Sequence, residues 1–397
     1  MKRLRRAALL LLVAIAALLA IACVLYPPTY VYRVLVWRDA DADDYQRFPM
    51  RRVEPATGAT ALPRRLEPER VAAAWQQAGG TLPMEDELAQ LGTQAFLVLR
   101  QGTVIHESYA NGASRESWVT SFSVAKSILS TLMGIAVQER KIASLDDAVT
   151  RYLPELRQRD ARFERITLRH LLDMASGIHY AEFPFLHGDD AKTYYYPDLR
   201  RLALTESRIE GAPAQHFHYN NFHPMLLGMV LERATGMPVS RYLETRLWQP
   251  AGMVGPASWS LDSEASGFEK MESGFNARAE DFARVGWLML QGGRMGDRQV
   301  VPAAWADEST RPHAVSAGYY AGTPWTGADA RRFYTAMWWG QARADGERDF
   351  AARGNHGQLV FVSPHNGIVI VRHGWRYGIP PQEWFERARR MADALGG

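Results

Sequence analysis

Strand signals lie towards both ends of this chain and helical signals between them, and that order limits the fold more than any other feature. Residues 94–109 read as two strands, AFLVLR and VIHESY, joined by Gln101-Gly102, where glycine accepts the positive φ of a tight hairpin turn. Residues 359–362 and 367–372 read as strands near the other end, before a final helix over 382–395. Between them, Ile128, Leu129, Leu132 and Met133 recur at helical spacing within 124–140, giving a helix with a buried face. Further helices are predicted over 168–175, 224–235, 239–247 and 279–291. An earlier amphipathic one over 68–78, with Val71, Ala72 and Trp75, ends at Gly79-Gly80. This order predicts one α/β domain whose sheet is assembled from the N- and C-terminal parts, with a helical insertion packed against it. At 397 residues and 47% hydrophobic, the chain has material for a large core.

Ahead of the domain, residues 7–26 are an uncharged apolar run of roughly the twenty residues a helix needs to cross a bilayer, stopped by Pro27 and Pro28. Lys2, Arg3, Arg5 and Arg6 precede it and outnumber the net charge of +3 carried by the whole chain. The remainder is therefore slightly acidic, which excludes a basic nucleic-acid surface. The same four residues keep the tip in the cytoplasm and send the rest of the chain outward. Residues 1–26 are expected to be a transmembrane signal anchor or a signal peptide, the second fitting the small residues Ala20 and Ala22. Acylation of Cys23 ranks behind both, because Ala20 stands where lipoprotein signals place Leu. Each reading exports the domain, either tethered to the bacterial inner membrane or free in the periplasm. Residues 27–66, without periodicity, are expected to be a tether and an N-terminal segment wrapping the domain, which then occupies 67–397. Cys23 is the chain's single cysteine, so an intrachain disulfide, a thiolate zinc site and a cysteine nucleophile are excluded from the globular part. Chemistry falls to oxygen and nitrogen.

The most informative motif is Ser123-Val124-Ala125-Lys126, at the start of the strongest amphipathic helix. A spacing of three residues puts the Ser hydroxyl and the Lys amine on one helix face, within reach of a shared hydrogen bond. The helix N-terminus favours negative charge developing beside Ser123. Ser-x-x-Lys alone is a weak pattern, but lysine occurs only at 2, 126, 141, 192 and 270 in a chain rich in Arg. Arg cannot stand in for Lys126 as a base, because it does not lose its proton, whereas a desolvated Lys does so near neutral pH. The second element is Tyr219-Asn220-Asn221, just before an apolar helix. A phenol close to an ammonium has its ionised form stabilised, so Tyr219 is a candidate general base on Ser123, with Asn221 supporting Lys126. A tyrosine anchoring a loop and an asparagine capping a helix are the plainer readings of these two residues.

Five ordered blocks carry a resemblance: SFSVAKSILSTLMG, ITLRHLLDMASGI, the Tyr-x-Asn element, FNARAEDFARVGWLMLQGG and ARGNHGQLVFVSP. Over about residues 90 to 375 the chain resembles the serine β-lactamase and penicillin-binding superfamily on its class C side. Within it, the chain is most similar to the 6-aminohexanoate-dimer (nylon-oligomer) hydrolases and family VIII carboxylesterases. The resemblance implies an α/β (α+β) β-lactamase/transpeptidase-like fold, an antiparallel sheet flanked by helices plus an all-helical lobe, with the active site between them. It makes Ser123 the acylated nucleophile, Lys126 its partner, Tyr219 the general base and Asn221 the motif asparagine. It also implies an oxyanion hole formed by the backbone N–H groups of Ser123 and Asn355, the latter following the motif glycine Gly354. The third motif departs from the family pattern. Where lactamases and D,D-peptidases carry Lys-Thr-Gly or His-x-Gly, this chain has Ala352-Arg353-Gly354, and the side chain of Arg353 is not assumed to replace the absent Lys. The expectation moves towards ester or linear-amide hydrolysis through an acyl-enzyme on a small-molecule substrate. The alternatives are a D,D-peptidase or D-aminopeptidase, a weak β-lactamase, or a non-turnover penicillin-binding-like sensor.

No cofactor or metal is expected. His216, His218 and His223 crowd around Tyr219, but no acidic or Cys ligand completes a recognisable spacing. His356 either orients the turn after Asn355 or is a packed structural histidine. Tyr194, Tyr195 and Tyr196, with Phe183, Phe185 and nearby Trp residues, either line a cleft or are simply buried. Asp189-Asp190 reads as a solvated turn, and no obligate protein partner is inferred.

Overall fold

Alternation along the strands divides the core into two layers. In the computed structural model, which describes residues 1–184, 186–327 and 329–396, Thr93–Arg100 and Thr103–Tyr109 form the hairpin, with Gln101 and Gly102 both at positive φ. Phe96 and Val98 join one core cluster and Leu97 and Leu99 the other, because successive side chains leave opposite faces of a pleated strand. Ile368 and Ile370, against Val369 and Val371, repeat the division on the neighbouring strand.

Among the described residues the main sheet has seven strands, all antiparallel. Its order is Thr103–Tyr109, Thr93–Arg100, Ile368–Gly374, Gln358–Ser363, Arg348–Gly354, Trp338–Ala342, Arg332–Thr335. The sheet thus joins the two chain ends, as the strand signals predict; the three strands between 332 and 354 were not legible one by one. One face is covered by Pro68–Gln77 and Glu383–Gly396, through Val71, Trp75, Trp384, Phe385 and Met391. Burying each such large side chain contributes roughly 1.5–3 kcal/mol. Ala74, rather than the predicted Ala72, completes that buried face. Against the other face lie Ala279–Leu290 and the almost wholly buried Val124–Gln138 helix, which in turn carries the helical lobe built around Phe222–Thr235.

Two helices end differently from their pattern. Leu168–Leu172 stops before the predicted 175, where Met174 takes a left-handed φ of 56°. Val239–Leu243 passes into a π-helical turn, Glu244–Trp248. A second, four-stranded sheet orders Met50–Val53, Ala257–Ser260, Phe275–Arg278 and Trp118–Thr120, with the N-terminal strand at one edge and the strand just before Ser123 at the other.

Lys2–Leu25 is an exposed helix with a mean hydropathy of 3.2 in its most apolar window, long and apolar enough to cross a membrane. Pro28–Trp37 follows as a second helix, and its Tyr30 and Val34 pack with Phe48, Ala191 and Tyr195.

Candidate active site

Ser123 occupies the N-cap of the Val124–Gln138 helix, where the helix leaves N–H donors without internal partners. The residue before it, Phe122, has a φ of 48°, a left-handed conformation that is costly for a bulky side chain and persists only where packing enforces it. One turn on, Lys126 is 1% exposed and donates to Ser123 Oγ at 2.9 Å and to the Glu272 carbonyl at 2.7 Å. Burial pulls its ammonium down to about 7, against the opposing pull of the Glu272 and Asp190 charges.

Tyr219, just ahead of the Phe222–Thr235 helix, lines the same cleft as Ser123, and its ring lies 5.0 Å from Lys126 Nζ. The ring stacks on Trp339 with centroids 5.5 Å apart. Burial raises the phenol well above its ordinary value, more than the neighbouring Ser123 and the positive charge of Arg353 lower it. The resting phenol is thus neutral, the opposite of the ionised form that proximity to an ammonium suggested, because burial removes charge from both partners. Asn221 does not reach Lys126. Its amide donates to Tyr180 Oη at 2.7 Å, and Lys126 takes the Glu272 carbonyl instead.

The strand Arg348–Gly354 brings Asn355 to the same place. A Cβ on Gly354 would collide with the Ser121 carbonyl oxygen, so only glycine lets this strand end approach the Ser123 turn so closely. The pleat sets Ala352 in the core with Val124 and Ala125. Arg353 goes to the other side, its guanidinium 4.6 Å from the Trp325 ring and 5.1 Å from that of Trp339, donating to the Pro381 carbonyl at 2.7 Å. A lysine equivalent at 352 is therefore absent, and Arg353 enters the cleft from the next position; burial pulls it down to about 10.

Ser123, Tyr219, Asn221, Arg353, Gly354 and Asn355 all line one cavity of about 540 Å3. Its walls add residues that the sequence did not single out, among them Tyr180, Trp325, Trp339 and Tyr377. Asp190 also lines it, at the start of the Asp189–Tyr195 helix, its carboxylate accepting from Tyr180 Oη at 3.1 Å; it is a wall of the cleft and not an isolated surface turn. The tyrosine run behaves otherwise. Tyr194 donates to Asp44 Oδ2 at 2.7 Å, Tyr195 to the Arg38 carbonyl at 2.6 Å, and Tyr196 packs on Tyr30, so these rings hold the N-terminal segment. Phe183 is 77% exposed, and Phe185 lies outside the described residues. His223 is buried and bonded to Ser176 Oγ at 2.6 Å, and burial pulls it down to about 3. Among the described residues no group of three or more His, Cys, Asp or Glu side chains is arranged to hold a metal ion.

Known proteins share much of this sequence and its fold. The beta-lactamase family profile matches residues 84–389. The chain is 29% identical over 308 residues to the 6-aminohexanoate-dimer hydrolase of Paenarthrobacter ureafaciens, covering 73% of this chain and 74% of that protein. It is 32% identical over 178 residues to esterase EstB of Burkholderia gladioli, 40% of this chain and 44% of the esterase. A solved Bacillus anthracis structure, provisionally assigned as a 6-aminohexanoate-dimer hydrolase, superposes with a TM-score of 0.77 at 23% identity, covering 93% and 94% of the two chains, and shares the fold.

Proposed function

Because this chain belongs to the beta-lactamase family, and is a hydrolase related to amidases and esterases, we propose that it cleaves carboxylic esters or linear amides through an acyl-enzyme on Ser123. The observation that carries the proposal is the 2.9 Å contact between Ser123 Oγ and a buried lysine held near neutrality, at the wall of an aromatic cavity. The free amine of Lys126 takes the hydroxyl proton as Ser123 Oγ bonds to the acyl carbon. The Ser123 and Asn355 N–H groups receive the oxyanion, each such donor being worth about 2.7 to 4 kcal/mol in the transition state. On collapse the leaving alkoxide or amine takes the proton of Tyr219, which is replaced from the Lys126 ammonium; water then repeats the sequence to release the acid. Roles differ here from the sequence-based expectation in one respect: Lys126 is the base and Tyr219 the proton carrier, because burial keeps the amine, and not the phenolate, available at neutral pH.

A second reading, cleavage of carboxylate-bearing peptides or lactams of cell-wall type, has one observation in its favour, the Arg353 guanidinium in the cleft. Side-by-side assay of p-nitrophenyl butyrate, a linear amide, nitrocefin and a D-Ala-D-Ala peptide separates the two. Esters or the linear amide are expected to give the highest kcat/KM, and a faster nitrocefin or peptide reaction overturns the primary reading. The basic tip and the apolar Lys2–Leu25 helix support attachment to the inner membrane with the domain in the periplasm. Retention in the pellet after alkaline extraction is expected, and complete release would argue for a cleaved signal.

A further inference from the structure

Residues 40–48, which follow the second N-terminal helix, touch both halves of the catalytic centre. The His356 ring Nε2–H donates to the Ala40 carbonyl at 2.8 Å, and His356 is the residue after Asn355, itself left-handed at a φ of 57°. The same ring packs against Phe122, the strained residue before Ser123, with centroids 5.1 Å apart. Phe122 also meets the Tyr194 ring, stacked at 6.3 Å and held by the bond from its hydroxyl to Asp44. Two further bonds fix the same stretch to the strand leading into Ser123: the Thr120 N–H donates to the Ala42 carbonyl at 2.8 Å, and the Tyr45 N–H to Thr120 Oγ1 at 3.0 Å. Lys270 continues the connection. It lies 4.6 Å from the Phe48 ring and 4.0 Å from that of Tyr194, and it pairs at 3.0 Å with the side chain of Glu272, whose carbonyl holds Lys126.

We propose that His356 is a positioning residue that, with residues 40–48 as its support, holds the Asn355 turn and the Phe122–Ser123 turn in one fixed relation. The physical need is specific. An oxyanion hole made of two backbone N–H groups from different chain segments works only if both aim at the same point, and no side chain of either donor sets that distance. Arg372 supports the turn from beneath by donating to the His356 and Gly357 carbonyls, but neither bond reaches across to the nucleophile side. The His356 ring does, through Phe122. A left-handed histidine and a left-handed phenylalanine in contact are two strained residues that stabilise each other only while the ring is anchored at Ala40. This role rests on the hydrolase reading of the cleft.

The test uses the full-length protein with His356→Ala, His356→Gln and Asp44→Ala. Active sites are counted with a fluorophosphonate probe, so that kcat is expressed per reactive Ser123, and amide hydrogen exchange is followed across residues 352–359. His356→Ala is expected to lower kcat per titrated site by about 10- to 100-fold with KM little changed, the scale of a small misplacement of the reacting groups, and to speed exchange of the Asn355 turn. His356→Gln, which keeps a donor for the Ala40 carbonyl, should recover to within about threefold of wild type. Asp44→Ala, distant from the chemistry, should lower kcat in the same sense by loosening Tyr194. A purely structural histidine would reduce the number of titratable sites while leaving kcat per site unchanged, and that result overturns the proposal. So does exchange of residues 352–359 that is the same in His356→Ala as in wild type. If wild type itself is not labelled at Ser123, the hydrolase reading fails, while the exchange comparison still reports whether His356 holds the turn.

Discussion

A Ser123→Ala protein is expected to fold like its parent and to lose turnover of p-nitrophenyl acetate and butyrate by about 10³-fold or more. Both halves of that expectation have structural reasons. Ser123 is the N-cap of its helix but makes no side-chain capping hydrogen bond, so the substitution removes none of the stabilisation that a capping serine normally supplies. Lys126 keeps its bond to the Glu272 carbonyl when the hydroxyl is gone, so no buried amine is left wholly unpartnered. The melting temperature should therefore move by no more than about 2 °C, equivalent to less than about 1 kcal/mol in a domain of this size. Activity falls because the variant lacks the hydroxyl that Lys126 contacts and that the proposed acyl-enzyme requires. Residual hydrolysis from the oxyanion donors alone is expected. Turnover of the variant at parental rates, with labelling of a different residue by a fluorophosphonate, would remove Ser123 from its assigned role.

How much of this site could be read in advance differs residue by residue. Ser123 and Lys126 are legible because helix geometry makes a three-residue spacing a statement about space. The hairpin is legible because Gln101-Gly102 sits between two runs of strand-forming residues. The second partner of Lys126 is not legible, since the Glu272 group it bonds is a backbone carbonyl that any residue would supply. Nor is the direction of Arg353: the pleat demands only that it oppose Ala352, and which of the two faces the helix depends on the whole sheet. Residues 27–66 carry no sustained periodic signal because the one helix there, Pro28–Trp37, is short and buries a single face through Tyr30 and Val34, and beyond it the segment is held by separate anchors such as Asp44 and Phe48. Trp339 and Trp325 come from outside the recognisable motif blocks and meet Tyr219 and Arg353 only once the sheet has closed. Long-range aromatic packing of that kind has no local sequence period.

The sharpest consequence of the burial of Lys126 is that activity and stability should respond to pH through one group. With the amine at about 7 in the folded protein, kcat/KM should climb nearly tenfold per pH unit below that value and level off above it, provided the free amine is the base. Tyr219→Phe should lower kcat by about 10² to 10⁴-fold yet retain the same rising limb, because the limb belongs to Lys126. Lys126→Arg places a permanent cation at the same point and should be as inactive as Ser123→Ala at every pH. Stability carries the same sign. The folded amine lies below the unfolded value of about 10.4, so between these limits the unfolded chain binds more protons and stability rises with pH. The cost of burying the ammonium is thus fully present below about pH 7 and fades as pH approaches the unfolded value. Lys126→Met, which leaves an apolar side chain of similar length in the same helix, should therefore melt above wild type at pH 6, with the difference shrinking steadily towards pH 10. A flat pH–rate profile between 6 and 8 would sink Lys126 as the base. A melting difference independent of pH would show that the amine titrates alike in the folded and unfolded chains, so that burial does not shift Lys126.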